Sequence, residues 1–264
     1  MAEELLKLDN VTQVFGGLCA VSEVSFSVNS QDIFGIIGPN GAGKSTLFNI
    51  ITGIYTPTEG TVFFKGQPIH HLPPYKLASL GIGRTFQNIR LFSTMSVLEN
   101  VLIGGHGITT AGFLNCLLSL PKAKKEEKQL QETAKELLEM VGLYQKRMDY
   151  AKNLSYGEQR RLEIVRALAL HPSLLLLDEP AAGMNPNEKE ELMQLITRLK
   201  NEMKITVLLV EHDMNLVMNI CERLVVLNYG SKIAEGTAEE IKKNQDVIDS
   251  YLGSSHELGN GAEV

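Results

Sequence analysis

The chain has 264 residues, of which 44% are hydrophobic and 21% are charged, and its formal net charge is −6. These values are typical of a soluble globular protein with one large or two small domains, and the acidic balance argues against a general nucleic-acid binder. No apolar run approaches the ~20 residues that cross a bilayer, and the acidic start is unlike a signal peptide. The widely spaced cysteines form no pattern for disulfides or structural zinc, so we expect a cytoplasmic protein.

The first part of the chain, residues 4–37, alternates apolar and polar side chains and has turn signals near Gly16 and Ser30. This pattern predicts antiparallel strands that lead into a buried apolar strand at 33–37. Phe15 stands at the first of these turns. Its spacing fits a core aromatic and an exposed ring that stacks on adenine equally well, so both interpretations stay open.

A glycine-rich segment follows this strand and precedes an apolar helical run; its residues are Gly38, Pro39, Asn40, Gly41, Ala42, Gly43, Lys44, Ser45 and Thr46. Strand, glycine-rich turn and helix N-terminus are the context that a P-loop requires. Glycines let backbone N–H groups close around phosphate oxygens, and the helix N-terminus favours the same anion. In this pattern Lys44 supplies an ammonium for the β- and γ-phosphates, and Ser45 supplies a hydroxyl for Mg²⁺. The segment predicts binding of a nucleoside triphosphate with Mg²⁺.

Residues 90–155 are rich in Leu, Lys and Glu and favour helices. Apolar residues recur at helical spacing over 130–141, and Gly142 marks a plausible end of that helix. The stretch 104–121 shows no clear pattern. Its apolar pairs at 113–114 and 117–118 fit packing on the helices and contact with a partner, and neither interpretation is excluded.

Two further apolar runs, 174–177 and 206–210, predict strands that are buried on both faces. Strands that alternate with helices predict a largely parallel sheet with its ligand at the carboxyl ends of the strands. Asp178 and Glu179 end the first run, and His212 follows the second. In these positions Asp178 would reach Mg²⁺ beside a P-loop, Glu179 would orient and deprotonate a water, and His212 would donate to a γ-phosphate.

The later part of the chain carries clear signals for helix start, hairpin and tail. The segment 185–188 has the sequence of an N-cap, an N1 proline and an N3 carboxylate. A hairpin is predicted around Tyr229-Gly230, and a flexible tail is predicted at 254–264.

The segment 154–159, Leu-Ser-Tyr-Gly-Glu-Gln, resembles the signature motif of ABC-type ATPases, with Tyr156 and Glu158 as variations. The order of P-loop, Gln87, signature, Asp178-Glu179 and His212 is also that of an ABC nucleotide-binding subunit, and it covers almost the whole chain.

The resemblance implies an α/β fold, namely a P-loop NTPase core of ABC type. Such a core has a mainly parallel sheet, an antiparallel β subdomain and an inserted α-helical subdomain. We expect the core at 1–87 and 156–253, and the helical subdomain at 88–155, with the signature at its end.

The resemblance also implies roles for single residues within one chain. Phe15 would stack on adenine, and Gln87 would contact Mg²⁺ and the attacking water. Glu179 would be the general base, and His212 would be the switch histidine.

Other implied roles concern a second chain. Ser155 and Gly157 would bind the γ-phosphate of ATP held by a partner ATPase, so hydrolysis would need a head-to-tail dimer. Asn185 departs from the family, since most members have Asp there. Asparagine keeps the hydrogen-bonding shape and loses the charge, which puts in doubt the strength of cross-talk between the two sites.

Several segments resemble the longer ATPase subunit of branched-chain amino acid importers: 33–38, 72–74, 84–92, the insertion after Gly104, and 247–253. This resemblance implies a peripheral subunit at the cytoplasmic face of the membrane that couples ATP hydrolysis to transport. The implied partners are an identical or related ATPase, two membrane permeases and, indirectly, an extracytoplasmic solute-binding protein, without nucleic acid. ATPases of urea and other amide importers and of lipopolysaccharide exporters are similar, so the solute stays open.

Two other classes of protein fit less well. A soluble ABC ATPase that acts on nucleic acid or ribosomes would carry a long coiled coil or a second cassette, and the sequence shows neither. A P-loop GTPase would carry an Asn-Lys-x-Asp guanine motif, and this motif is missing from the sequence.

The segment after Gln87 is predicted to couple the site to a partner. We expect Gln87 to end a strand that enters the catalytic cavity, with Ile89, Leu91 and Phe92 following within one or two turns. These apolar residues fit either the core or a groove that receives a cytoplasmic helix of a permease.

Overall fold

The computed structural model describes residues 3–105 and 121–257. The strands are β1 Glu4–Phe15, β2 Leu18–Asn29, β3 Ile33–Ile37, β4 Glu59–Phe64, β5 Gln67–Pro68, β6 Ile82–Arg84, β7 Leu174–Asp178, β8 Thr206–Val210, β9 Arg223–Asn228 and β10 Ser231–Gly236. The α-helices are α1 Lys44–Ile51, α2 Pro74–Leu80, α3 Val97–Gly105, α4 Pro121–Met140, α5 Tyr156–Leu168, α6 Pro186–Asn201, α7 Met214–Ile220, α8 Ala238–Lys243 and α9 Gln245–Glu257.

A mainly parallel sheet forms the centre of the fold. Within the described residues its strand order is β10-β9-β3-β8-β7-β6, and all neighbouring pairs are parallel except β9 with β10. Strands β3, β7 and β8 are buried along their full length, as the apolar runs predict. Residues that alternate along a strand face opposite sides, so Leu175 and Leu177 join one buried cluster while Leu174 and Leu176 join another.

The second cluster lies between this sheet and an antiparallel one. The antiparallel sheet has the order β2-β1-β4-β5 among the strands that the structure describes. Its inward residues, such as Leu6, Leu8 and Val28, pack with Phe34 and with Phe48 of α1. The predicted antiparallel strands before the P-loop are therefore confirmed.

The first cluster covers the opposite face of the parallel sheet. It includes Val101 of α3, Leu138 of α4, Leu162 of α5 and Ile196 of α6 together with sheet residues such as Ile37. The predicted helix over 130–140 is confirmed, and Gly142 follows its end with a φ of 71°. The helices between β6 and β7 thus share a core with the sheet; the division of the chain at 87/88 and 155/156 stays a prediction.

Two expectations about element ends are wrong. Strand β6 pairs with β7 only as far as Arg84, so Gln87 lies in a bend beyond the strand and does not end it. Helix α9 continues to Glu257, so the first residues of the predicted tail at 254–264 belong to this helix.

The apolar pairs at 113–114 and 117–118 lie outside the described residues. No helix among the described residues is long and apolar enough to cross a membrane.

Candidate functional site

The glycine-rich segment connects β3 to α1 at the carboxyl end of the parallel sheet, as the sequence predicts. Gly43 is the N-cap of α1 and has a φ of 96°, in the left-handed region that favours glycine. A Cβ atom at this residue would lie 2.5 Å from the backbone oxygen of Ala20, so only glycine fits. The loop therefore presents backbone and a helix N-terminus to a ligand, which is the arrangement that binds phosphate.

Lys44 is buried, and its ammonium is held by the same loop. Nζ donates hydrogen bonds to the backbone oxygens of Gly38 at 2.6 Å and Pro39 at 2.8 Å. Burial lowers the pKa of Lys44, and the negative charge of Glu179 opposes this shift. The ammonium of Lys44 is thus held by the loop and interacts electrostatically with Glu179, the residue that follows β7.

The neighbouring carboxylates Asp178 and Glu179 have different surroundings. Asp178 is buried, and its Oδ2 lies 3.4 Å from Nη2 of Arg84. Burial raises the pKa of Asp178, while the charge of Arg84 opposes the increase. Glu179 has a φ of 43°, and its N–H donates to the oxygen of Val210 at 2.9 Å. The chain therefore turns sharply after β7 and directs the two carboxylates differently.

Gln87 and His212 converge on Glu179. Nε2 of Gln87 donates to Oε2 of Glu179 at 3.0 Å. Nδ1 of His212 lies 3.8 Å from the same oxygen, and the His212 side chain is 59% exposed. The structure thus brings together three side chains that the sequence places far apart.

A cavity of about 650 Å³ joins Gln87 and Glu179 to the P-loop. Its lining includes Phe15, residues 40–46, Gln87 and Glu179. Phe15 is 41% exposed and meets the ring of Tyr55 edge-on, with 5.1 Å between the ring centres. The interpretation of Phe15 as a core aromatic is therefore wrong, and the ring lies at the mouth of the cavity.

The residues proposed for Mg²⁺ suit a hard cation by their chemistry. Ser45 offers a hydroxyl oxygen, Asp178 a carboxylate and Gln87 an amide oxygen, and Mg²⁺ prefers oxygen ligands. Ser45 is exposed in the first turn of α1. Asp178 ends β7, which is separated from the P-loop strand β3 by β8 alone. The donor set fits the ion.

The signature segment at the N-terminus of α5 does not line this cavity. Ser155 is the N-cap of α5, and its side chain and that of Glu158 form a capping box. Ser155 is exposed, whereas a Cβ atom on Gly157 would lie 2.5 Å from Oε1 of Glu188. Of the described residues that line the cavity, none comes from this helix.

Sequence reasoning missed two charged residues that shape the site. Glu211 is fully buried, and its carboxylate accepts from the N–H groups of Ala181 at 2.8 Å, His212 at 3.1 Å and Asp213 at 3.3 Å. Burial raises the pKa of Glu211, and these donors oppose the shift. Arg84 is the other, since it ties Asp178 to the P-loop helix. For Glu211 the available signal was a charge directly after the apolar strand β8, whereas Arg84 is the last residue of the short strand β6.

Comparison with known proteins agrees with this geometry. A sequence profile described as ABC transporter matches residues 21–182, and one described as branched-chain amino acid ATP-binding cassette transporter matches residues 231–257. The chain is 45% identical over 255 residues to the high-affinity branched-chain amino acid transport ATP-binding protein LivG of Escherichia coli, a match that covers 97% of this chain and 100% of LivG.

Solved structures confirm the expected fold class. An ATP-binding cassette of an ABC transporter in its ADP conformation has a TM-score of 0.83 and 37% identity, covering 95% of this chain and 99% of that chain. A dimeric ATP-binding cassette in a post-hydrolysis state, bound to ADP and Pi, has a TM-score of 0.73 and 30% identity, covering 89% of this chain and 99% of that chain. The chain therefore belongs to the ABC transporter family, as one of its ATP-binding cassettes.

Proposed function

We propose that this chain is the ATP-hydrolysing subunit of an importer for branched-chain amino acids, peripheral to the cytoplasmic face of the membrane. The observation that carries the catalytic part is the convergence of Gln87 and His212 on Glu179, because Gln87 and Glu179 line one cavity with the P-loop. The substrate part is supported by the similarity to LivG over nearly the whole chain.

ATP binding is assigned to the P-loop and Phe15. Residues 41–46 line the cavity at the start of α1, where a helix N-terminus favours phosphate, and Lys44 adds a positive charge for the β- and γ-phosphates. The exposed ring of Phe15 lies at the mouth of the same cavity and is placed to stack on adenine.

Hydrolysis is assigned to Glu179 as general base. Oε2 of Glu179 takes a proton from the attacking water, and the N–H of Gln87 stabilises the ionised carboxylate through the hydrogen bond at 3.0 Å. His212 lies beside the same oxygen and donates to the γ-phosphate. Ser45, Asp178 and Gln87 would hold Mg²⁺, which neutralises phosphate charge when bound.

The site is completed by a second chain. Ser155 is exposed, and neither Ser155 nor Gly157 is among the described residues that line their own cavity; this supports a head-to-tail dimer in which each signature faces the partner's nucleotide. The partner ATPase is the same or a related subunit. Two membrane permeases and, indirectly, an extracytoplasmic solute-binding protein complete the importer.

The direct test of the substrate is uptake into vesicles that contain the chain, its permeases and its solute-binding protein. We expect ATP-dependent accumulation of labelled leucine, isoleucine or valine, and the Glu179→Gln variant serves as the control that lacks hydrolysis. Accumulation of urea or another amide instead would assign the chain to the related importers, and export of lipopolysaccharide would assign it to the exporters.

A further inference from the structure

A buried ion pair on α5 belongs to none of the motifs described above. Arg160 and Glu163 are about one helical turn apart, and both side chains are 0% exposed. Nη1 of Arg160 donates to Oε2 of Glu163 at 2.9 Å. Ionised side chains seldom lie fully buried unless they are paired and hydrogen-bonded further. The other partners of this pair therefore indicate its role.

Apart from the hydroxyl of Tyr156, which accepts from Arg160 at 3.4 Å, these partners are backbone groups of the loop that follows β6. Arg160 donates to the oxygen of Phe86 at 2.7 Å and to the oxygen of Gln87 at 2.8 Å. Oε1 of Glu163 accepts from the N–H of Phe86 at 3.4 Å and from the N–H of Arg90 at 3.2 Å. Where the loop leaves the edge of the sheet, its backbone therefore hydrogen-bonds to side chains of α5 and no longer to strand β7.

The pair connects two parts of the ATPase machinery. On one side, the loop carries Gln87, whose side chain donates to Glu179. On the other side, α5 begins at Ser155, about 7.5 Å before Arg160 along the helix at 1.5 Å per residue. Because a helix of this length moves as a rigid body, a displacement of Ser155 reaches the backbone of Gln87 through this pair.

Stability alone explains the pair poorly. Removing two charges from water is costly, and replacing a buried ion pair by apolar residues of similar volume is often neutral for stability. The pair differs from apolar packing in its directional hydrogen bonds, which fix the loop at one position relative to α5.

We propose that Arg160 and Glu163 are positioning residues for ATP hydrolysis. They fasten the Gln87 loop to the helix that carries the signature, so engagement of Ser155 by the partner's nucleotide is transmitted to Gln87 and Glu179. This inference rests on the proposed function. It adds the residues that link Gln87 of one nucleotide site to the signature segment that faces the partner's nucleotide.

The test uses the full chain with the pair replaced by apolar residues, Arg160→Met together with Glu163→Leu, which leaves no charge of the pair buried alone. The matched control is Arg161→Met with Glu191→Leu, a more exposed ion pair that joins α5 to α6. Binding of a fluorescent ATP analogue, kcat and KM are measured for each chain, and thermal melting followed by circular dichroism checks the fold.

We expect analogue binding and KM to stay within about twofold of wild type in the double variant, while kcat falls ~10–100-fold, the effect of misplacing a reacting group by about 1 Å. The control should retain kcat. Glu163→Gln keeps the volume of the side chain and an acceptor oxygen for the loop, so its kcat should fall less than that of the double variant. If the double variant melts below the assay temperature, kcat of Glu163→Gln is the measurement that tests the inference.

Two results would overturn the inference: a folded double variant with wild-type kcat, or a loss of analogue binding as large as the loss of kcat, which indicates general disruption. If the double variant does not fold, wild-type kcat in Glu163→Gln overturns it as well. A wild-type chain that binds the analogue but hydrolyses no ATP would instead contradict the proposed function, and with it the inference built on it.

Discussion

Among single residues, Glu179 and Asp178 show how adjacent carboxylates acquire different surroundings. Asp178 is buried and paired with Arg84, whereas Glu179 turns into the cavity and meets Gln87. In the function proposed above, these surroundings, and not residue type, distinguish the carboxylate assigned to Mg²⁺ from the one assigned as base. The left-handed backbone of Glu179 produces this separation within one peptide.

The exposed ring of Phe15 gives a test at the same scale. Phe15→Ala should weaken ATP binding ~10-fold, because an aromatic contact contributes roughly 1 kcal/mol beyond its buried area. Isothermal titration with ATP measures the change. Phe15→Tyr is the conservative control, and tripolyphosphate, which lacks adenine, should bind both chains like wild type. Unchanged ATP affinity in Phe15→Ala would place adenine elsewhere.

At the scale of elements, side-chain caps fix where the helices begin. Asn185 accepts from the N–H of Glu188 at 3.1 Å and forms a capping box at the start of α6. Asparagine and aspartate cap helices about equally well. The departure of Asn185 from the family pattern therefore preserves the helix start, and its effect is confined to the lost charge.

Asp213 caps α7 and pairs with Lys189 of α6. The hydrogen bond from Lys189 is the main cause that lowers the pKa of Asp213. A lowered folded-state pKa stabilises the fold above the unfolded-state pKa, and this stability is lost as the pH falls through the folded value.

Asp213→Asn keeps the cap and removes the charge. We expect it to lower the free energy of unfolding by ~0.5 kcal/mol near neutral pH, since both side chains of the pair keep part of their surface in solvent, with a difference that shrinks below about pH 4. Urea unfolding at several pH values measures it. In a Lys189→Met background the substitution should have little effect; a difference that grows on acidification would refute the assignment.

The segment after Gln87 divides between core and surface. Ile89 and Leu91 are half-buried, and Leu91 packs against the core cluster of the helices, whereas Phe92 is 47% exposed. We therefore place the predicted permease groove at Phe92. Phe92→Asp should leave ATP binding intact and abolish transport and co-purification of the permeases. Tyr75→Asp, at an exposed aromatic on α2, is the control. Normal transport by Phe92→Asp would place the groove elsewhere.

Some elements follow from local sequence, and others do not. Apolar runs with a glycine-rich turn predict β3, the P-loop and α1, because each signal acts within a few residues. Phe15 is ambiguous because alternation fails at the end of a strand. In the sequence, Arg160 and Glu163 have the spacing of an exposed ion pair on a helix. They are buried because the loop packs on α5. The end of β6 likewise depends on that loop.

For the whole molecule, the separation of the signature from its own cavity predicts activity that depends on assembly. Turnover per chain should be weak for the isolated protein and fall steeply on dilution, because groups supplied in trans contribute ~10³–10⁵-fold to phosphoryl transfer. ATPase assays over a range of chain concentrations measure it, with permeases added as the positive control. High turnover that is independent of dilution would exclude a catalytic site built from two chains.

If this cavity hydrolyses ATP with Glu179 as base, binding and turnover should separate in the Glu179→Gln variant, and both are measured on the same chain. Lys44→Ala, which should lose ATP binding, and Glu191→Gln, at an exposed residue of α6, are the controls. We expect Glu179→Gln to bind ATP like wild type while turnover falls ~10²–10⁴-fold, because the base that takes the proton from water is lost. Wild-type turnover in Glu179→Gln would contradict it.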